Sequence, residues 1–538
     1  MNRADTPRDR RLGMASFLVG AEAGFWQPPG PRASSVKRFL AAAGRAIVPR
    51  VKTPLRALAV IVLVALGILL FNAFRRSAAP RASGPTPRTE AVDENAVAEH
   101  LSAAIRFRTV SHQDPKEDDR TVFAAFRAFL EATYPRVHAT LGHELINRDG
   151  LLYRWEGTDP SAPPLLFMAH QDVVPIEAGT ESKWTHGPFD GVIADGFIWG
   201  RGSIDDKGSL IGLFEAFESL ISEGFRPSRT IFFASGFDEE VGGREGAKKI
   251  SEELAKRGVK FAWVLDEGGG ITQGIVPGVE RPVAQIAVSE KGYLSIELVA
   301  HAEGGHSSMP PPQTAVGALA AAIDRLQKHP FTARLTPILK QNLETLAPEM
   351  SFFPRLVLSN LWLTSSFVVG GLEKRQETNP MVRTTIAPTI LEAGVKENVL
   401  PSTARAVVNF RILPGDSISE VIGHVTSVIA DDTITVTILD RTLSEPAPAS
   451  STLAPGFKTL EAMLHEFFPD AVIVPGVVNG ATDSRHFQPV ASDVYRFVPR
   501  MMLKTDLKRI HGTDERVGVA DMSLEVRAYR KIVRDGAR

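Results

Sequence analysis

Thr230-Ile-Phe-Phe-Ala-Ser-Gly-Phe-Asp-Glu-Glu-Val-Gly-Gly243 sets an apolar run just ahead of three consecutive acids. Ile231 to Ala234 has the length and aromatic content of a buried strand. Asp238, Glu239 and Glu240 repel one another if crowded together with no cation nearby. Gly242 and Gly243 then let the backbone turn tightly away. In open α/β sheets, ligand sites lie beyond the carboxyl ends of strands. Acids gathered there suggest a metal site with a spare carboxylate for proton transfer. A solvated acidic turn is the alternative that this stretch alone leaves open.

Working outward, strand-like runs alternate with helical patterns. Pro164 to Ala169 reads as a strand, Ser209 to Glu223 as a helix, Gly246 to Arg257 as a helix and Phe261 to Leu265 as a strand. Helical patterns also cover the start of this region, with Val97, Leu101 and Ile105 four residues apart, and Phe123 to Tyr134. The alternation predicts a mixed sheet flanked by helices, an α/β fold. Near Gln285 the style changes. Strands at 285–288 and 294–300, a helix at 314–327, strands at 383–395 and 403–413, a helix at 418–430 and a strand at 434–438 predict a smaller α+β insert. Residues 331–380 fit no simple pattern. After 443–452, rich in Pro and Ser, a helix at 456–467 and further strands return to the first style. No internal repeat is evident.

The chain has 538 residues, too many for one ordinary core. Its 61 basic and 62 acidic residues nearly cancel, which argues against a polyanion-binding protein. With no cysteine, disulfides and thiolate metal ligands are excluded, and a metal must be held by His, Asp and Glu. Ala57 to Phe74 carries no charge over 18 residues. As a helix it spans about 27 Å, enough for a bilayer core. Arg45, Arg50, Lys52 and Arg56 precede it, while only Arg75 and Arg76 follow at once. The basic excess predicts a single anchor with its N-terminus cytoplasmic and the bulk of the chain extracytoplasmic, periplasmic in a bacterium. A cleaved signal peptide is the rival reading, given the small residues Ser77-Ala78-Ala79. The expected organisation is a basic disordered segment (1–56), a transmembrane helix (57–74), a Pro-rich linker (75–91), a catalytic domain in two parts (92–284 and 443–538) and the insert (285–442).

Other strands also end in chemistry-bearing residues. Ala169-His170-Gln171-Asp172-Val173-Val174-Pro175 places a histidine after one strand, with Asp172 two residues on to accept its other imidazole N–H. Gly200-Arg201-Gly202-Ser203-Ile204-Asp205-Asp206-Lys207-Gly208 sets adjacent acids in a Gly-rich turn before a helix, where one carboxylate can sit between two cations. Leu265-Asp266-Glu267-Gly268-Gly269 repeats the strand-then-acid arrangement, and Ile510-His511-Gly512 supplies a late histidine. Each segment alone also fits an ordinary polar loop; their joint occurrence does not.

In this order, these strings resemble the di-zinc exopeptidase family of carboxypeptidase S, aminoacylase, carnosinase and bacterial glutamate carboxypeptidases. The resemblance runs from about Val92 to the C-terminus. It implies that His170, Asp205 and Asp266 hold one zinc and that Asp205, Glu240 and His511 hold the other, with Asp205 bridging. Two Zn2+ per chain are expected, with Co2+ or Mn2+ as alternative divalent ions. Glu239 is implied as general base, Asp172 as the residue orienting His170, and Asp206 as shaping its turn through unusual peptide geometry. The insert, by the same resemblance a lid and dimerisation domain, would contact substrate through His306, Asn398 and Arg411. His306 in Gly-Gly-His-Ser-Ser would stabilise the oxyanion, often from the partner subunit of a homodimer. Asn398 and Arg411 would bind the substrate carbonyl region and free carboxylate, for which the Arg fork is suited. His486, in Thr-Asp-Ser-Arg-His-Phe, is a further substrate-pocket candidate.

The expected function is a membrane-anchored metallohydrolase that cuts an amide bond next to a free C-terminal carboxylate. Small peptides or N-acyl amino acids would be its substrates, and the carboxypeptidase S and N-fatty-acyl-amino-acid hydrolase branch the nearest. A dipeptidase is the alternative enzyme, and a non-catalytic binding protein on the same scaffold is the alternative of another class.

Overall fold

The computed structural model describes residues 52–76 and 91–538. Most of the expected basic segment (1–51) and of the expected linker (77–90) therefore lies outside the described residues. The chain divides into two compact units, Met1–Ala65 and Leu66–Arg538. One helix, Lys52–Arg75, carries the apolar segment. Along it Leu58, Val60, Ile61, Val62, Leu63 and Val64 are all exposed, so this helix does not spend its apolar surface on a protein core.

A ten-stranded mixed sheet forms the centre of the larger unit. Its middle is three parallel strands side by side: Ile231–Ser235, Leu165–Met168 and Trp263–Asp266, with Leu165 opposite both Ile231 and Trp263. All three are buried throughout, as continuous apolar runs of parallel sheets are. Side chains of a strand alternate between faces, and the core divides accordingly. Leu165, Phe167, Ile231, Phe233, Trp263 and Leu265 pack under helices Lys207–Ser222 and Val519–Gly536. Leu166, Met168, Phe232, Ala234 and Val264 face helix Ala247–Lys256 and Phe487 on the other side. Each such side chain taken from water contributes about 1.5–3 kcal/mol. This three-layer packing fixes the register of the three strands, and their carboxyl ends share one edge.

The insert is a separate four-stranded antiparallel sheet, ordered Thr385–Ala393, Thr403–Ile412, Gly292–His301 and Ile434–Ser444. Helices Ala315–Lys328 and Ile418–Ile429 close its own apolar core, which includes Leu298, Leu319, Phe410 and Val425. The second helix opens with a capping box: Ser417 accepts from the Glu420 backbone and Glu420 reaches back to the N-cap. Strand Val283–Glu290 still belongs to the central sheet, so the insert's own sheet begins at Gly292. Residues 331–380, unpatterned in sequence, contain helices Pro337–Leu346, Phe352–Leu358 and Leu361–Leu372.

Candidate active site

Beyond the shared strand edge, five side chains converge. His170 follows strand Leu165–Met168, Glu240 follows Ile231–Ser235 and Glu267 follows Trp263–Asp266; Asp205 and His511 come from loops. His170 Nε2 lies 3.0 Å from Asp205 Oδ1 and 3.5 Å from Glu267 Oε1. His511 Nε2 lies 3.1 Å from Asp205 Oδ2 and 3.2 Å from Glu240 Oε2. The two oxygens of Asp205 thus face two different histidines, the arrangement a bridging carboxylate requires. His170, Glu267 and Asp205 are largely shielded, whereas the His511 side chain is 50% exposed and marks the open side.

The tautomer of His170 follows from its neighbours. Its Nδ1 meets only acceptors, the Asp172 carbonyl at 3.0 Å and Asp172 Oδ1 at 3.3 Å, so Nδ1 carries a proton; Nε2 also faces carboxylates, Asp205 and Glu267, and would present its lone pair only to a cation bound between them. Asp172 does more than orient a ring. It is fully buried, accepts Ser111 Oγ–H at 2.6 Å, and takes the backbone N–H groups of Glu239 and Glu240, each at 3.1 Å. One carboxylate therefore ties the histidine to the acidic turn. Asp238 closes that turn from below by accepting the N–H of Glu245 and Gly246. Gly243 sits at φ +65°, and a Cβ there would lie 2.0 Å from Asp483 Oδ1, so no larger residue fits.

Burial and like charge dominate the electrostatics. Burial pushes Glu240 up to about 7, with Asp205 adding to it. Glu267 is likewise pushed up to about 7 by burial and then by Asp205. Burial would also raise Asp205, but hydrogen bonds from His170 and His511 override it and hold this carboxyl well below its ordinary range. Those to Asp205 and Glu240 raise His511 to about 10. Glu239 is pushed well above its ordinary value, chiefly by burial, with His170 opposing and Asp483, Glu267 and Glu240 reinforcing. Glu240 Oε1 is buried with no hydrogen-bond partner among the described residues, and an oxygen left so is costly unless something else satisfies it. Crowded carboxylates, two imidazoles and an unpartnered oxygen form a donor set suited to divalent cations. His170, Asp205 and Glu240 offer ligand atoms close enough for one ion.

Asp266 is placed otherwise than expected. It is the last residue of its strand, and its Oδ2 accepts the Ser484 backbone N–H at 2.8 Å. Strand alternation puts it on the face of Val264, toward the segment Asp483–Val490. Its neighbour Glu267, one step past the strand, turns to His170 instead. The peptide bond between Asp205 and Asp206 is cis, the unusual geometry expected there. Asp206 is fully buried, and its Oδ2 accepts the His170 backbone N–H.

The other expected residues are scattered. Arg411 lies in the insert, its guanidinium 4.5 Å from the centroid of the Tyr293 ring. Burial lowers its proton affinity, with Tyr293 opposing, Arg485 adding to the shift and Glu239 opposing it. His306 is exposed on a two-residue ribbon with Val399–Leu400, its Nδ1 2.8 Å from Ser308 Oγ; Asn398 is exposed one residue before that partner strand. His486 packs behind the acidic turn, with Nε2 3.1 Å from the Gly242 carbonyl, and burial, then Arg485, hold it neutral by lowering it to about 3.

Sequence reading passed over Arg201 and Glu515. Their side chains form a fully buried pair at 2.6 Å, and Glu515 Oε1 also accepts the N–H of Gly202, Ile204 and Asp205. Arg201 Nη2 donates in turn to the His511 carbonyl. Burial raises the Glu515 carboxyl despite the pull of Arg201. The pair clamps the loop bearing Asp205 to the loop bearing His511. Arg201→Met, which leaves Glu515 buried and unpaired, is expected to destabilise the fold by about 3–5 kcal/mol. Urea unfolding in detergent reads this as a lower midpoint, and an unchanged midpoint would refute the clamp.

Comparison with known proteins places these features in a family. Residues 166–535 match the model of peptidase family M20/M25/M40. The chain is 38% identical over 445 residues to a probable carboxypeptidase S-like 2 of Dictyostelium discoideum, covering 82% of this chain and 85% of that protein. It is 36% identical over 495 residues to the human N-fatty-acyl-amino acid synthase/hydrolase PM20D1, covering 89% and 97%. Among solved structures, the M20 family metallo-carboxypeptidase Sso-CP2 from Sulfolobus solfataricus matches with a TM-score of 0.61 at 16% identity, covering 82% of this chain and 99% of that one.

Proposed function

The chain belongs to peptidase family M20/M25/M40 and is a hydrolase, and on that premise we propose that it cleaves an amide bond beside a free carboxylate, acting on N-acyl amino acids or small peptides. The observation that carries this reading is the cluster itself, with Glu239 in the same acidic turn and Arg411 on the insert within electrostatic reach of Glu239. His170, Asp205 and Glu267 would hold one divalent cation, and Asp205, Glu240 and His511 the second. When bound, such a pair lowers the pKa of a water and polarises a carbonyl.

The residues of the chain supply the rest. Glu239 is in none of the ligand pairs above. It takes a proton from the attacking water and delivers it to the amide nitrogen as the C–N bond breaks, leaving a carboxylate and a free amine. Asp172 keeps His170 in one tautomer and fixes the turn that aims Glu239. Arg411, its guanidinium over the Tyr293 ring, offers its fork to the substrate carboxylate. His306 is the proposed oxyanion donor, its exposure suiting a partner subunit's site in a homodimer built through the insert, with Asn398 beside it. His486 supports the acidic turn from behind. Ala57–Arg75 is the proposed single-pass anchor, with the hydrolase unit extracytoplasmic.

A substrate panel tests the reading: an N-acyl amino acid, its C-terminal amide and a free dipeptide. The acyl amino acid is expected to turn over, and the amide at least about tenfold more slowly, the worth of one charge-assisted hydrogen bond. Arg411→Ala should erase that preference by raising KM for the free acid. Equal rates for acid and amide would contradict carboxylate recognition, and turnover of the free dipeptide alone would replace the acylase reading with a dipeptidase.

A further inference from the structure

Besides the Lys52–Arg75 helix, residues 331–380 carry a group of exposed large apolar side chains that the site above does not use. Helices Phe352–Leu358 and Leu361–Leu372 form a pair bent by 112°. From Leu356 to Leu372 no residue is charged. One side of the pair is committed: Leu358, Leu361 and Val368 pack with Ala347 in a small core. The other side presents Phe353, Trp362, Leu363 and Phe367, each more than half exposed, with Phe352 alongside at 46%. Helix surfaces left to water are ordinarily polar, and contiguous exposed aromatic patches mark interaction sites.

Its occupant is indicated by what packs at its base. Residues 66–75, the end of the long apolar helix, belong to the same compact unit. Asn360, buried at the bend, donates Nδ2–H to the Leu69 carbonyl at 3.1 Å and accepts from Asn72 at 2.9 Å and from the Trp362 indole at 3.3 Å. The Phe74 ring lies 5.9 Å from that of Phe352. Arg76 approaches Glu344 at 3.6 Å, and just past the pair Lys374 and Arg375 stand exposed between Glu373 and an equally exposed Glu377. An apolar helix end, an aromatic face and a fringe of mixed charge thus adjoin. Neither short helix can cross a bilayer, since about 17–25 residues are needed. Both suit the interface plane, where Trp and basic side chains meet headgroups.

We propose that the Phe352–Leu372 helix pair is a second membrane contact, lying in the surface of the bilayer that takes the Ala57–Arg75 helix. This inference rests on the anchor reading of that helix. A second contact would fix the tilt of the hydrolase unit on the membrane.

The chain has no cysteine, so Phe353→Cys, Phe367→Cys and Val395→Cys each give one labelling site. Val395 is 93% exposed on the insert and serves as the control. The full-length variants, labelled with a polarity-sensitive fluorophore, are reconstituted into phosphatidylcholine–phosphatidylglycerol vesicles with and without nitroxide lipid. Labels at 353 and 367 should be quenched at least about twofold more than the label at 395, with their emission shifted to the blue. A label-free arm uses brominated lipid on the unmodified chain: tryptophan quenching should fall in Trp362→Phe. Co-flotation with vesicles but control-level quenching at 353 and 367 overturns this proposal and leaves the anchor standing. Failure to float overturns both. Energy transfer between Phe367→Cys labels with no response to nitroxide lipid assigns the face to a second copy and also overturns the proposal.

Discussion

Replacing Glu239 by Gln is expected to lower kcat by about 10²- to 10⁴-fold, the usual worth of a positioned general acid–base, with metal content and fold unchanged. The substitution keeps the shape of the side chain and removes only its capacity to take a proton. Its backbone N–H would still donate to Asp172, so the turn and the neighbouring Glu240 stay in place. Burial and the surrounding acids raise the proton affinity of Glu239, which suits a group that must hold a proton between the attacking water and the departing amine. A variant with normal turnover would remove Glu239 from the mechanism. One that loses metal as well would make it a ligand instead.

The second large effect is expected at Asp205. Among the described residues this is the one carboxylate within 3.1 Å of both imidazoles, one oxygen to each. Asp205→Asn retains the size of the side chain but removes the charge that would lie between two cations. Both ions should then bind far more weakly, because each loses the same shared charged ligand; loss of the Asp205 charge eases the ionisation of Glu240 and Glu267 but does not replace that ligand. Turnover should fall to background even in excess metal. If Asp205 served only one of two ions, the variant would lose one equivalent and keep the other.

Much of this was legible along the chain, for definable reasons. A parallel strand buried on both faces must be an unbroken apolar run, so Ile231 to Ala234 declared itself, and the acids just beyond it could only lie at the sheet edge. The histidines and Asp205 were visible because each sits in a distinctive polar string. Asp266 and Glu267 were not separable, since which of two adjacent acids faces the cluster depends on where the strand ends, and one residue reverses the direction. The clamp between Arg201 and Glu515 joins positions 314 apart, a distance that no local pattern spans. The helices of 331–380 escaped notice because Leu361–Leu372 is apolar around much of its circumference and lacks the 3.6-residue alternation by which a surface helix is recognised. That failure is itself informative, since a helix with no polar face needs an apolar neighbour.

The central claim is that Asp205 bridges two cations on which hydrolysis depends. Its most direct test is elemental analysis of the purified full-length chain and of Asp205→Asn, each assayed on the same N-acyl amino acid. Two equivalents of divalent metal in the active chain, with near-complete loss of both metal and turnover in the variant, is the predicted result. An Asp205→Asn chain that retains two equivalents and normal turnover would contradict the account.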